Sequence, residues 1–237
     1  MAPKQTLSQQ MYGVAGRSWA QRVTLAVLLG GCVAVAWWLL LAGGVGAVGV
    51  RFGHRWAAGN PVRRAALAAA FGIYFVRVLF TEFAFLKRGV SWTEVLTIAP
   101  WVLFIFVLFA LGGGTNASAF GAAADAGVVL FLAGSWMNSW AEHQRNAWKS
   151  RPENKGRLYT LGLFRLVRHP NYLGDLISFS GLCLLTGRWF TMAVPLLMLC
   201  GFVFVNVPAL DEHLAEHYGA DFGEYARRTR KLIPFIY

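Results

Sequence analysis

Charge is what this chain has least of. Only 14% of its 237 residues are Asp, Glu, Lys or Arg, where an average soluble domain carries about 25%. That leaves too little polar surface to cover a water-soluble globule of this size and argues against a soluble enzyme. Disorder requires the opposite composition, many charges on a weakly hydrophobic background. Acids are scarcer still, 11 against 22 Lys and Arg, for a formal charge of +11. Such a balance suits nucleic acid in principle, but no recognition helix or aromatic platform motif accompanies it. Cysteine is nearly missing. Cys32, Cys183 and Cys200 all lie in apolar stretches without metal-ligand spacing, which leaves no metal site to propose and reads as three buried, reduced thiols.

What remains is hydrophobic, 57% of the chain. A bilayer core needs about 20 apolar residues in a helix, and several runs approach or exceed that length. They are Val23–Val50, Ala65–Leu86, Val95–Gly112, Ala119–Trp140, the shorter Leu173–Thr186, and Phe190–Leu210. The first is too long for a cleaved signal peptide. The tight Gly187-Arg188 link makes the last two a hairpin. The expected fold is all-α: an integral membrane multi-helix bundle of five to six transmembrane helices with a C-terminal amphipathic helix. It divides into N-terminal transmembrane helices over 1–141 and a more polar region over 142–237.

The interval 142–170 holds seven Lys or Arg, which places it on the cytosolic side. Counting spans backwards puts the loop 51–64 outside, despite Arg51, Arg55, Arg63 and Arg64, and so conflicts with the same rule. Charges within spans are costly and point to function by default. Arg77 and Glu82 lie in YFVRVLFTEF, five residues apart and so on different parts of a helix. Asp125 reads as an interface residue.

Polar chemistry concentrates late, with 12 basic and 8 acidic side chains in 142–237. Asn138, Glu142, Arg145 and Lys149 are spaced by four, three and four, which aligns them on one helical face. A polar turn follows, then LYTLGLFRLVRHPNYLGD, which includes Arg165. In RHPNYLGD, Arg168 and His169 offer donors for phosphate or carboxylate, and Asn171 both donates and accepts. Pro170 fixes its own backbone and restrains His169. Asp175 stands near the head of the next run, where a carboxylate favours a helix start. Further on, Asp211, Leu214, Tyr218, Phe222 and Tyr225 form one helical stripe, weakened as a continuous helix by Gly219.

RHPNYLGD, the hydrophobic hairpin, the acidic-led helix and the ending RRTRKLIPFIY together resemble the membrane steroid 5-alpha-reductase and sterol C14-reductase group. That group shares its superfamily with the isoprenylcysteine carboxyl methyltransferases. The resemblance covers roughly residues 134–237. Asn171 before Tyr172, Leu173, Gly174 and an acid is the reductase form of the motif, and Asn138, Glu142 and Lys149 are spaced like residues that reductases use on NADPH. By resemblance, NADPH is the cofactor, clamped by Asn138, Glu142, Arg145, Lys149, Arg165, Arg168, His169, Asn171, Tyr172, Asp175, Glu212, Tyr225, Arg227 and Arg228. The implied reaction reduces a carbon–carbon double bond in a lipid-soluble, steroid-like or isoprenoid substrate. Glu82 is the candidate acid for an enone, Asp211 for an isolated olefin, and Tyr74 a supporting group. Two departures stand out: Asn206 to Leu210 precede Asp211-Glu212 where sterol reductases carry arginines, and Thr81-Glu82 replaces an early Gln-Glu pair. The segment DEHLAEHYGADFGEYARR is similar to the methyltransferase ending, which implies S-adenosylmethionine instead. The resemblance also implies a wide hydrophobic substrate cavity among the helices of 1–141 and a cofactor-binding region over 142–237, and the partners expected are a lipid-soluble substrate and the bilayer. The protein is then multi-pass, with its cofactor site and C-terminus facing the cytosol.

Overall fold

The computed structural model describes residues 18–237. The described residues form helices α1 (Trp19–Leu41), α2 (Gly44–Arg51), α3 (Pro61–Phe80), α4 (Trp92–Gly114), α5 (Ala122–Lys149), α6 (Pro170–Thr186), α7 (Ala193–Gly201), α8 (Val207–Tyr218) and α9 (Ala220–Arg228). π-Helical turns extend α3 through Thr81–Phe85 and join α7 to α8 through Phe202–Asn206. The chain is an all-α membrane bundle. Among the described residues, four helical segments are long and apolar enough to cross a bilayer: Trp19–Leu41, Pro61–Phe85, Trp92–Gly114 and Trp189–Tyr218.

The apolar run 23–50 is not one helix. It breaks at Gly43, whose φ of +79° only glycine adopts cheaply, and α2 turns away. Cys32 and Cys183 are buried as expected, but Cys200 is exposed: on α7 the residues Leu196, Leu197 and Cys200 share an outward face, so hydrophobicity there serves lipid rather than the protein interior.

The basic loop 51–64 loses half of its conflict with the charge rule. Arg63 is buried and donates to the carbonyls of Leu185, Ser118 and Ala119, while Arg64 donates to that of Leu40. Leu40 and Leu185 lie in the last turns of α1 and α6, where carbonyls have no partner within their own helix. These two arginines cap helix ends, and they are internal hydrogen-bond donors rather than charges displayed to one side of a membrane. Arg22 does the same at the opposite end, donating to the carbonyls of Glu82, Leu86 and Arg88.

α5 and α6 make the most extensive helix–helix contact. They touch backbone to backbone through two glycine pairs: Gly127 lies against Gly181 and Gly134 against Gly174. A Cβ added to Gly134 would sit 2.4 Å from the Gly174 carbonyl oxygen, and one added to Gly181 would sit 2.5 Å from that of Gly127. Small residues that allow such approach are the usual means of pairing helices in lipid, where burial from water supplies no driving force between them. This contact sets the distance between the C-terminal half of α5 and the first turn of α6, which carry the polar residues.

Candidate active site

The polar residues gather at one end of the bundle. From α5, Asn138 donates its side-chain amide to the Asn171 carbonyl at 3.0 Å, and Asn171 returns its own amide to Glu142 at 3.3 Å. Glu142 is buried and also accepts from Arg145. The helical face read from the four-three-four spacing therefore meets the motif of α6 directly. Lys149, one turn further, lies 5.0 Å over the Tyr218 ring and hydrogen-bonds its hydroxyl.

A second cluster sits beside it. Asp211 of α8 accepts from Arg168 Nε at 3.3 Å and Nη2 at 2.6 Å, and lies 3.0 Å from His169 Nε2. The remaining Arg168 nitrogen donates to the carbonyls of Ala226 at 3.1 Å and Thr229 at 2.8 Å. The backbone continues the attachment: the amides of Arg168 and His169 donate to the carbonyls of Arg230 and Lys231 at 2.7 and 3.0 Å, and Val167 pairs with Arg230. The motif is thus strapped to the tail segment that follows α9. Pro170 opens α6 as its first residue, where a missing N–H costs nothing. His169 is fully buried, and its ring stacks on Tyr172, which stacks in turn on Phe202 at 4.6 Å.

Gly219, with φ of +52°, ends α8 and lets α9 fold back, so the stripe from Asp211 to Tyr225 is not one helix face. Tyr225 is buried and donates its hydroxyl to the Phe164 carbonyl at 2.7 Å; burial raises the phenol well above its ordinary range, so it stays a neutral donor. Glu212, Arg227 and Arg165 are exposed, and Arg228 makes an exposed pair with Glu224 at 3.3 Å.

Deeper in the bundle, Arg77 of α3 pairs with Asp175 of α6 at 2.8 Å and lies 4.9 Å over the Tyr74 ring. The sequence marked each of these three residues separately. Their meeting was not visible, because it joins positions 98 residues apart. Tyr74 is held edge-on by Phe106 and Phe179. With Leu29, Val33, Phe75, Val102 and Phe106 it lines a narrow apolar crevice between α1, α3 and α4, in the region where the family likeness implies a wide cavity. Glu82 lies in the π-helical turn that ends α3, a local irregularity often found at functional positions. Its Oε1 is buried without a hydrogen-bond partner among the described residues.

Sequence reasoning missed one further feature. A cavity of about 510 Å³ opens between the segment 160–165 and α9, lined by Thr160, Leu161, Arg165, Tyr225, Arg228 and Thr229.

Residues 86–229 match the family described as Protein of unknown function (DUF1295). The chain belongs to this family. Similarity extends to a probable O-methyltransferase of Ustilaginoidea virens, 41% identical over 88 residues, which are 37% of this chain and 31% of that protein. A steroid 5-alpha-reductase of Solanum lycopersicum is 31% identical over 117 residues, 47% of this chain and 41% of the relative. A probable protein-S-isoprenylcysteine O-methyltransferase of Oryza sativa subsp. indica is 31% identical over 84 residues, 35% and 44% respectively. The matched parts thus span less than half the length of these curated relatives. The resemblance read from the late motifs holds at the level of the superfamily, whose members bear the names of reductases and methyltransferases alike.

Proposed function

We propose that this DUF1295 chain is a membrane enzyme that reduces an activated carbon–carbon double bond of a lipid-soluble, steroid-like or isoprenoid substrate with NADPH. The observation that carries this reading is Glu82: a carboxyl group on the π-helical turn that ends α3, with one oxygen buried and without a hydrogen-bond partner among the described residues. Double-bond reduction needs a proton donor in a dry place. Methyl transfer needs mainly alignment. Asp211, the other candidate acid, already accepts hydrogen bonds from Arg168 and His169, so the proton is assigned to Glu82 and the holding of the motif to Asp211.

The residues present fit a large phosphorylated nucleotide. Asn138, Asn171 and Glu142 supply mixed donors and acceptors for sugar and amide groups, Arg145 and Lys149 supply positive charge on the same helix, and Arg165 and Arg228 add charge at the cavity beside α9. When bound, NADPH supplies hydride. The chain's own residues hold it, offer a proton from Glu82 and, through the apolar crevice at Tyr74, keep water from the reacting carbons. The basic interval 142–170 supports a cytosolic position for this end of the bundle, where the nucleotide is available.

The 41% identity to the Ustilaginoidea virens relative favours a second reading, an S-adenosylmethionine-dependent methyltransferase using the same polar cluster. Thermal melting of the detergent-solubilised protein separates the two. A ligand at 100 times its dissociation constant stabilises by about 2.7 kcal/mol, so NADPH is expected to raise the melting temperature and S-adenosylmethionine to leave it unchanged. Asn171→Ala is expected to abolish the NADPH response. A shift with S-adenosylmethionine alone overturns the reductase reading. Glu82→Gln is expected to lower turnover by about 10²–10⁴-fold and to keep the NADPH-induced shift. Undiminished turnover would return Glu82 to the role of an interface anchor.

A further inference from the structure

Among the large hydrophobic side chains of the described residues, Phe235 is the most exposed at 91%, and Ile236 beside it is 76% exposed. Leu232, three residues earlier, is fully buried, so this segment is anchored at its root and bare at its tip. The bare end is not a frayed one. The amides of Leu232 and Ile233 donate to the Tyr237 backbone oxygen at 2.7 and 2.8 Å, and those of Ile236 and Tyr237 to the Ile233 carbonyl at 3.1 and 3.0 Å. These bonds close a tight turn in which Phe235 takes φ of +66°, the one positive value at a non-glycine residue among the described positions. A bulky residue rarely adopts that region, and strain of this kind points to a task at the strained position. Here it holds two apolar side chains away from the protein.

The surroundings say what those side chains meet. The Tyr237 hydroxyl lies 3.5 Å from the Val203 carbonyl. Val203 belongs to the membrane-crossing segment Trp189–Tyr218, roughly 21 Å from its start at 1.5 Å per residue. A hydrocarbon core is about 30 Å thick, so the turn sits beside the part of that segment approaching the headgroups at the polar-cluster end. The same segment presents Leu196, Leu197 and Phe204, each more than half exposed, so its lipid-facing surface extends toward the turn. Charge completes the pattern. Residues 225–237 hold four Lys or Arg and no acid, and Arg227, Arg228 and Arg230 are exposed. Apolar side chains at the acyl boundary, with basic ones at headgroup level, make an interfacial anchor for an anionic leaflet.

We propose that the turn 233–237 inserts Phe235 and Ile236 into the bilayer, with Arg227 and Arg230 holding anionic phospholipid headgroups above them. The contact reaches the polar cluster through the backbone. Arg230 and Lys231, which lead into the turn, give their carbonyls to the amides of Arg168 and His169 at 2.7 and 3.0 Å. Pinning the tail in the leaflet steadies the RHPNYLGD motif, and the charge of the bilayer sets how firmly that motif is held. This coupling is independent of which cofactor the cluster takes.

Spin labelling tests the insertion. Cys32 and Cys183 are buried, so a Cys200→Ser background leaves Phe235→Cys as the accessible thiol. In nanodiscs holding one copy each, the label at 235 is expected to respond to oxygen, which concentrates in lipid, and to be shielded from a water-soluble nickel chelate. A label at the exposed position Glu153→Cys is expected to do the reverse. Equal access of nickel to both labels overturns the insertion. Shielding that appears only with two copies per disc assigns the surface to a second copy and overturns it as well. A nitroxide is itself apolar, so hydrogen exchange at the amides of 168 and 169 supplies a label-free arm. Exchange in wild type is expected to be roughly fivefold slower, or more, in discs containing phosphatidylglycerol than in pure phosphatidylcholine. Arg227→Gln, Arg230→Gln is expected to remove that difference, and Phe235→Ser, Ile236→Ser to speed exchange in both lipids. All four side chains are exposed, so melting in detergent should not change. Wild-type exchange that ignores lipid charge, or a dependence that survives in the arginine variant, overturns the headgroup assignment.

Discussion

Gly134→Leu is expected to yield no monodisperse protein, and Gly134→Ala a protein with a clearly lower melting temperature and a disrupted polar cluster. The Cβ of even an alanine at this position would lie 2.4 Å from the Gly174 carbonyl oxygen and 2.5 Å from the Ser178 backbone nitrogen. These are backbone atoms and cannot rotate away, so α5 and α6 must separate. Inserting one carbon into a well-packed contact costs about 1–3 kcal/mol, and here the displacement reaches the site. Asn138 lies one turn beyond Gly134, and its 3.0 Å bond to the Asn171 carbonyl depends on the same helix separation. Gly134→Ala should therefore weaken nucleotide binding as well as stability, whereas Gly121→Ala, where an added carbon meets nothing within 4 Å, should alter neither. A Gly134→Ala protein with unchanged melting and unchanged ligand response would show that the glycine contact is not what spaces the two helices.

That contact illustrates what a single sequence can and cannot disclose. Membrane helices are legible because lipid permits almost no other spanning element and fixes its length. The apolar runs therefore predict α3 and α4, and the starts of α1 and of the long α7–α8 segment, to within a few residues. The break at Gly43 escaped because Gly-Gly within an apolar run is equally compatible with a continuous membrane helix. The glycine pairs left a signal that could have been used: Gly127 and Gly134 are seven residues apart, as are Gly174 and Gly181, which places each pair on one face of its helix. Local chemistry was also legible. The α5 face and the RHPNYLGD motif are short-range patterns, and their polar residues do meet. Partner choice was not, because pairing between distant residues leaves no trace in spacing. Arg77 finds Asp175 and Arg63 finds the end of α6, yet nothing in the local sequence of either arginine names its partner. Tyr225 shows the same limit from the other side. Its place in a helical stripe suggested that it faces a cofactor, and the bond to the Phe164 carbonyl shows that its hydroxyl serves the packing of the 162–165 turn.

Asp211→Ala is expected to cost about 3–5 kcal/mol, the penalty for removing one partner of a buried ion pair. The Arg168 side chain is only 7% exposed and Asp211 is its only acidic partner among the described residues. Truncation leaves a guanidinium charge enclosed with two carbonyl oxygens and no counterion. His169 loses its acceptor at the same time and becomes free to reorient beside Tyr172. Arg168→Met removes the charge along with the pair but abandons the carbonyls of Ala226 and Thr229, so it is expected to loosen the tail in particular. Hydrogen exchange can tell these effects apart: amides of 226–232 should lose protection in Arg168→Met, while the Gly127–Gly181 contact region stays protected. The double variant Asp211→Ala, Arg168→Met should be less destabilised than the sum of the single ones, because the unpaired charge that dominates Asp211→Ala is gone. Strict additivity would mean that Asp211 and Arg168 act independently. The strap that presents His169 and Asn171 would then be held by its backbone bonds to Arg230 and Lys231 and by the Arg168 bonds to the Ala226 and Thr229 carbonyls, without the Asp211 pair, and Asp211 would recover its candidacy as the proton donor in place of Glu82.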